Sequence, residues 1–453
     1  MHHSGASQPQ LGFWILGALL VLTFLTGGSY RASAPFLFVL RPVAILVLGY
    51  GLFMFTRAQW KAFRVPLIMA GLVMGLTVLH LIPLPSALWQ FLPGHSSLQT
   101  LDTLANTGPV WRPLSLVPSA TLNALFALSV PFAVFMLAAA LNEMDHIRLL
   151  WLLLTLAGIS ALLGLLQTTG LQFNLYVPIG RGSGIEATGL FANKNHQAAL
   201  LAAMLPMLAV LARAVRDRRP SWKAIDVMAG CAALVLLLLL IVTGSRAGVV
   251  VGGLSLVATL FYGIARIDWL EKRGARRATF LKIAIVICSV AVAAVATVAT
   301  SRGLAFSRMA NAAADLRPRL WESILPIIPQ YLPWGSGIGS YVEVYRAHEP
   351  IALLRDTYSN HAHNEYLEVA LTAGIPGLLL LAVTATLLAY AAWRSRSGDD
   401  MNVLLARLGV LIIIILAAAS IADYPLRTPI MSAVFAIALV WCTRIAPSQS
   451  DKH

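Results

Sequence analysis

The sequence predicts an all-α, polytopic integral membrane protein, and three observations carry that reading. Of the 453 residues, 58% are hydrophobic and only 11% charged, which excludes a disordered chain or an ordinary soluble domain. The apolar residues fall in runs close to the roughly 20 that a helix needs to cross about 30 Å of hydrocarbon. The formal charge of +14 sits in short basic clusters between those runs, a pattern of topology signals and anionic-lipid contact. No nucleic-acid partner is expected; the lipid bilayer is.

Twelve spans are expected, near 11–28, 35–56, 65–83, 119–141, 148–169, 195–213, 224–243, 247–265, 281–300, 366–393, 403–420 and 428–445. The third ends in the Pro-containing Ile82-Pro83-Leu84-Pro85, and the last two lie close together. The first span could pass for a signal peptide with Ala32-Ser33-Ala34 as its cleavage site. Pro35 would then follow the scissile bond, and Lys and Arg are missing ahead of the span, so it is expected to be retained. Cys231, Cys288 and Cys442 all lie in apolar segments without metal-ligand spacing and read as small core residues.

Four basic groups set the orientation: Arg57, Lys61 and Arg64; Arg213 to Lys223; Arg266 to Lys282; and Arg394 with Arg396. With twelve spans all four fall on one side, which the positive-inside rule makes cytoplasmic, together with both termini. The domain plan is then helices 1–9 over 1–300, a long outer loop over 301–365, and helices 10–12 with the cytoplasmic tail over 366–453. The outer face also holds 84–118, 170–194 and a short turn with Asp423, Pro425 and Arg427. Within the long loop, the Trp, Ile and Leu spacing of Arg317–Leu332 suggests helices lying on the membrane surface.

Candidate chemistry gathers on that outer face. The stretch from Asn360 to Leu381 brings His361, His363, Asn364, Glu365 and Glu368 to the start of an apolar helix. Capping accounts for Asn364, and the helix dipole favours acids in the first turn. Neither explains a histidine pair at a membrane boundary. A neutral imidazole near pH 7 is a fit general base for a sugar hydroxyl. His363 and Glu365 are too close for a His-Glu-x-x-His zinc site, and no metal is expected.

Arginines are the second signal: Arg181, Arg246, Arg302, Arg308, Arg317 and Arg319 lie in outer segments. Arg246 follows a Gly-Ser break in Val-Thr-Gly-Ser-Arg, which puts a guanidinium at the membrane edge. Arginine binds phosphate bidentately and stays charged at low dielectric, although a snorkelling arginine holding a helix end would look the same. Asn193, Lys194 and Asn195 precede another span; one asparagine suits an N-cap, while Lys194 is misplaced against the helix dipole unless an anion is near. No Walker loop, dinucleotide glycine motif or Asp-x-Asp occurs, and the first outer loop, Gly27–Pro35, has no carboxylate. A metal-independent reaction without cofactor is expected, with arginines supplying charge stabilisation.

Together these motifs resemble the O-antigen ligase and O-antigen polymerase superfamily of bacterial envelope glycosyltransferases. His363-Asn364 followed by Gly374 and Gly377 matches the ligase signature, and Thr243–Arg246 matches the Thr-Gly-Ser-Arg element. Arg319 and Trp321 ahead of Gly335, Gly337 and Gly339 match a third element; Gly189 to Asn195 match a fourth. The resemblance covers roughly 180–380. It departs at Glu186-Ala187-Thr188, where family members often carry an arginine; Arg181, upstream, is the candidate substitute.

The resemblance implies a glycan donor on undecaprenyl diphosphate at the periplasmic face of the inner membrane. The acceptor is a second lipid-linked glycan in a polymerase or lipid A–core sugar in a ligase, and a chain-length regulator is a further partner. His363 is the expected base, with Glu365 or Glu368 orienting it. Arg246, Arg319, Arg317, Arg181, Lys194, Asn193, Asn364 and His361 are the expected diphosphate or substrate contacts. The His-Ala-His-Asn-Glu form leans to polymerase. A flippase for the same lipid would call for charge at the bilayer midplane, and the spans are nearly free of it.

Overall fold

The computed structural model describes residues 8–29, 34–169, 175–176, 186–222, 224–262, 264, 316–355 and 358–444. The predicted 281–300 span, the Arg266–Lys282 cluster, Arg181, Arg302 and Arg308 lie outside them.

Hydrocarbon offers backbone groups no hydrogen-bond partner, so apolar runs of this length close their own bonds as helices. The helices in chain order are α1 (Gln8–Thr26), α2 (Leu37–Met54), α3 (Arg57–Ala62), α4 (Arg64–Leu79), α5 (Ser86–Trp89), α6 (Ser96–Ala105), α7 (Pro118–Ala127), α8 (Ser129–Ala139) and α9 (Glu143–Thr168). There follow α10 (Lys194–Arg218), α11 (Ala224–Val242), α12 (Arg246–Phe261), α13 (Arg317–Ile324), α14 (Tyr341–His348), α15 (Glu365–Arg394), α16 (Met401–Ala419) and α17 (Pro429–Thr443). Seven of these, with α7 and α8 counted as one, are long and apolar enough to cross a membrane; α1, α4, α12 and α17 are shorter apolar helices. The protein is an all-α polytopic membrane protein. Its strands among the described residues are β1 (Pro83–Leu84) and β2 (Arg112–Pro113), one short antiparallel pair.

Eleven of the twelve predicted spans fall on these helices. The third stops at Leu79 instead of 83, because the chain turns at His80 and enters β1. The fourth is broken at Leu128, where Pro131 cannot donate to the Ala127 carbonyl.

α10 is the axis of the bundle: 83% of its most apolar window is buried, against 22% in α11 and in α2. It packs on α9, α11, α12 and α16. Small residues let helices approach closely where no hydrophobic force drives them together. A Cβ on Gly409 would lie 2.8 Å from the Cys442 amide nitrogen, so α16 and α17 meet backbone to backbone.

A second, smaller core lies outside the bundle, made of Ile324, Ile327, Tyr331, Tyr341, Val344, Tyr345, Ala362 and Leu371. Here the expectation of surface-lying helices in 317–332 is corrected. Ile324, Ile327 and Tyr331 turn inward onto α14 and the start of α15, because those elements offer an aromatic face to bury against. The outer loop folds on protein and not on lipid along that face.

This subdomain is locked to α15 at a kink. Gly374 has φ +59° and ψ −149° inside the helix, so the ladder breaks there. The carbonyls freed by the break accept from the glycine-rich turn: Ser336 N–H donates to Leu371 O at 2.9 Å and Gly337 N–H to Thr372 O at 3.0 Å. In return Ile375 N–H donates to Pro333 O at 2.8 Å. A Cβ on Gly335 would lie 2.6 Å from the Thr372 carbonyl carbon, and one on Gly374 would collide with Pro333 O. Two glycine elements far apart in sequence are therefore one joint, required by close backbone approach.

Candidate active site

Four segments converge where α10, α12, α15 and the α16–α17 turn end together. Asn193 caps α10, its side chain accepting from Asn195 N–H. Ser245 caps α12, accepting from Gly248 N–H at 2.9 Å and donating to Asn195 Oδ1 at 2.7 Å. Asn364 caps α15 by accepting from Tyr366 and Leu367. The α15 start is tied to the end of α16: Glu365 N–H donates to Ser420 O at 2.9 Å and Tyr366 Oη to Ala417 O.

Asp423 is the hub of this convergence. It is 2% exposed. Its Oδ1 lies 3.4 Å from His363 Nδ1 and 3.6 Å from His196 Nε2. Its Oδ2 accepts from Asn193 Nδ2 at 3.1 Å and from Asn195 Nδ2, and it faces Arg317 at 3.8 Å. Burial alone would raise this carboxyl; the bonds and charges of His196 and His363 outweigh it and hold it well below the usual range. Asp423 is an anion that fixes what surrounds it. A small opening passes it, lined by Asn195, Ala247, Gly248 and Pro425.

A carboxylate can only accept, so the His363 proton belongs on Nδ1, the nitrogen facing Asp423, which leaves the Nε2 lone pair as the basic site. His363 is 28% exposed and has φ +49°. That left-handed conformation is uncommon for a residue with a Cβ, and such outliers cluster where a side chain must be held at a functional site.

His361 is held differently. Its Nδ1 donates to both Glu368 oxygens at 2.9 and 3.0 Å, and Glu368 also accepts from Ala362 N–H. Arg427 completes the group, bidentate on Glu365 at 2.7 and 2.8 Å and 2.9 Å from Glu368. Burial lowers the affinity of His361 for a proton despite its carboxylate partner. For Arg427 burial acts the same way, but Glu365 and Glu368 overcome it and its pKa is raised. Tyr424 stands between the two groups, its ring centroid 4.1 Å from that of His361, 5.1 Å from His363 and 5.0 Å from His196. Trp321 donates to Ala362 O at 2.9 Å and pins the His361–His363 backbone to the outer core.

Several sequence expectations are thereby located. Asn193, Arg317, His361, His363, Asn364, Glu365 and Glu368 come together, and Arg246 follows the cap serine bonded to Asn195. The carboxylate beside the His363 imidazole is Asp423; Glu368 serves His361, and Glu365 serves Arg427. Arg319 points away and is exposed, since residues two apart on a helix do not share a face. The anion beside Lys194 is Glu186, at 3.1 Å, the residue at which the chain departs from the family pattern. Arg181 lies outside the described residues. Tyr424 and His196 were missed by sequence, and Asp423 and Arg427 were placed on the outer face but not assigned to the site. The available signal was that Asp423 and Arg427 are the sole charged residues between Arg407 and Arg444.

Fold and site together define a multi-pass helical membrane protein with a histidine–carboxylate centre at one end of its bundle. Residues 231–382, about a third of the chain, match the family model described as O-antigen ligase, which supports the resemblance to the O-antigen ligase and polymerase superfamily. The match takes in Thr243–Arg246, the outer core, His361–Glu368 and the Gly374 joint; it leaves out Gly189–Asn195 and Asp423–Arg427. A comparison with curated proteins gives no match. The superfamily is one of membrane enzymes of the ligase and glycosyltransferase kind, with lipid-linked glycan and acceptor substrates.

Proposed function

We propose that this protein transfers a glycan from undecaprenyl diphosphate to an acceptor sugar hydroxyl at the periplasmic face of the inner membrane, without a metal. The observation that carries the reading is the partly exposed His363, held in a left-handed conformation with Nδ1 toward the buried Asp423. His363 Nε2 takes the acceptor hydroxyl proton as the oxygen attacks the anomeric carbon. The bond from that carbon to the diphosphate oxygen breaks, and the configuration inverts. Asp423 holds the ring and stabilises the imidazolium as it forms. Arg246, Arg317 and Arg181 neutralise the charge growing on the leaving lipid diphosphate. Arg319 and Lys194 stand further out as steering charges, with Asn193 and Asn364 fixing the helix ends that present the site.

The acceptor in this reading is a second lipid-linked repeat, which makes the enzyme a polymerase; the His-Ala-His-Asn-Glu form supports it. The twelve spans and cytoplasmic termini expected from the sequence support a site on the periplasmic side. The decisive experiment gives purified protein lipid-linked repeats in a chelator-containing, ATP-free buffer. Longer glycans and free lipid diphosphate are expected. Lipid translocation without product would overturn the reading in favour of a flippase. In a deletion strain, lipid A–core capped by a single repeat identifies a polymerase, and full polymer stranded on the lipid identifies a ligase.

A further inference from the structure

The segment 83–113 forms an arm beside the outer core. β1 and β2 close its base, and α5 and α6 fill it. Inside, Trp89 is fully buried and donates from Nε1 to Val110 O at 2.8 Å. Outside, the arm is apolar: Phe91 is 85% exposed and Leu104 79%, with Leu88, Leu101 and Trp111 also exposed. A water-facing arm of this size would normally cover such a surface or dilute it with charge.

The charges are instead withdrawn. From Leu81 to Trp111 the one charged residue is Asp102, and Arg112 at the base closes on it with both guanidinium donors. The same guanidinium stacks over the Trp89 ring at 5.7 Å. An arm that neutralises its own ion pair and shows aliphatic and aromatic side chains suits the headgroup–acyl boundary.

The neighbouring helix supports that depth. α4 has 16 residues, about 24 Å at 1.5 Å per residue, short of the roughly 30 Å hydrocarbon core. Its exterior is apolar to its end, with Val78, Leu79 and then Ile82 exposed. The chain that follows therefore leaves α4 while still level with lipid, and the exposed face of the arm continues the face of the span.

We propose that the 83–113 arm is an interfacial anchor, embedded in the lipid boundary through Leu88, Phe91, Leu101, Leu104 and Trp111. It is coupled to the outer core. Leu116 N–H donates to Ser336 O at 3.0 Å, and a Cβ on Gly94 would run into the Tyr331 ring. The anchor thus sets the glycine-rich turn, and through it the α15 joint, at a fixed height on the membrane.

The test is site-directed spin labelling of the full-length protein in nanodiscs of phosphatidylethanolamine and phosphatidylglycerol, with Cys231, Cys288 and Cys442 each changed to Ala. Labels are placed at Phe91→Cys and Leu104→Cys, with Leu46→Cys on the outside of α2 as the lipid reference and Glu343→Cys on α14 as the water reference. Oxygen-to-nickel-chelate accessibility ratios at 91 and 104 are expected close to that at 46 and well above that at 343. Ratios matching position 343 would overturn the anchor. Labels screened from both oxygen and nickel would also overturn it, since that marks a protein partner on this face.

Discussion

Asp423 and Glu368 are both buried carboxylates at the same end of the bundle, yet their charged partners come to different distances. Glu368 is held by a guanidinium, an imidazole and a backbone amide, and its ring partner His361 is buried with it. Asp423 is held by two asparagines and the Tyr424 amide, with Arg317 at 3.8 Å and the imidazoles standing off at 3.4 and 3.6 Å, one of them reaching the surface. Full ionic saturation makes a keystone that fastens α15 to the α16–α17 turn. The looser hold on Asp423 leaves the His363 ring beside it partly exposed. Two His–acid pairs, their histidines two residues apart, thus divide into a tightly bonded pair and a looser one, and the looser one is the pair to which the proposed chemistry is assigned.

Substitutions should separate the pairs. His363→Ala is expected to reduce glycan transfer by roughly 10²–10⁴-fold, the range for a positioned proton-transfer group, while thermal unfolding in detergent stays near that of the parent. Transfer at the parent rate would end the assignment of His363 as the base. Glu368→Ala should do the reverse first. It leaves Arg427 and His361 short of a buried counter-charge, at about 3–5 kcal/mol, read as a lower unfolding midpoint and less protein in the membrane.

Asp423→Asn keeps the shape and should cost about 100-fold in turnover, at the low end of the same catalytic range, with a smaller change in KM. An unfolding shift as large as that of Glu368→Ala would erase the contrast between the carboxylates. Gly335→Ala places a Cβ 2.6 Å from the Thr372 carbonyl carbon at φ +83°. A loss of about 1–3 kcal/mol is expected, with a fall in activity because the same joint carries His363.

The smallest effect is that of mild acid. His361 and His80 are both lowered by burial, His80 to about 4. Their contribution to stability is complete above the unfolded value of about 6.5 and declines as pH falls below it, because only the unfolded chain takes the proton. Asp423, lowered as well, keeps its contribution until far stronger acid. The unfolding midpoint should therefore drop between pH 6.5 and 5, and His361→Gln should flatten part of that slope.

Much of the fold was legible because a helix crossing lipid writes itself as one uninterrupted apolar run. Asn364 and Asn193 were legible in part, because a cap lies next to the helix it serves. The pairings were not. Asp423 meets His363 across 60 residues and Asn193 across 230, and spacing along a chain carries no record of which helix ends coincide. Glu186 shows the same limit at short range: an anion beside Lys194 was called for by the helix dipole, but the loop returning to supply it was not. The inward turn of Ile324, Ile327 and Tyr331 was hidden too, since an apolar stripe reads alike whether lipid or protein covers it.

The kink at Gly374 also divides α15 by altitude. Residues 375–394 number 20, about 30 Å of helix, which is the thickness of the hydrocarbon core. The nine residues before the kink are then a pedestal standing clear of it, up to about 13 Å tall. In the proposed reaction, His363 at its top would meet its substrate among sugars, above the phosphates. A lipid-linked glycan held there would present its diphosphate below the base, at the level where the chain begins to cross.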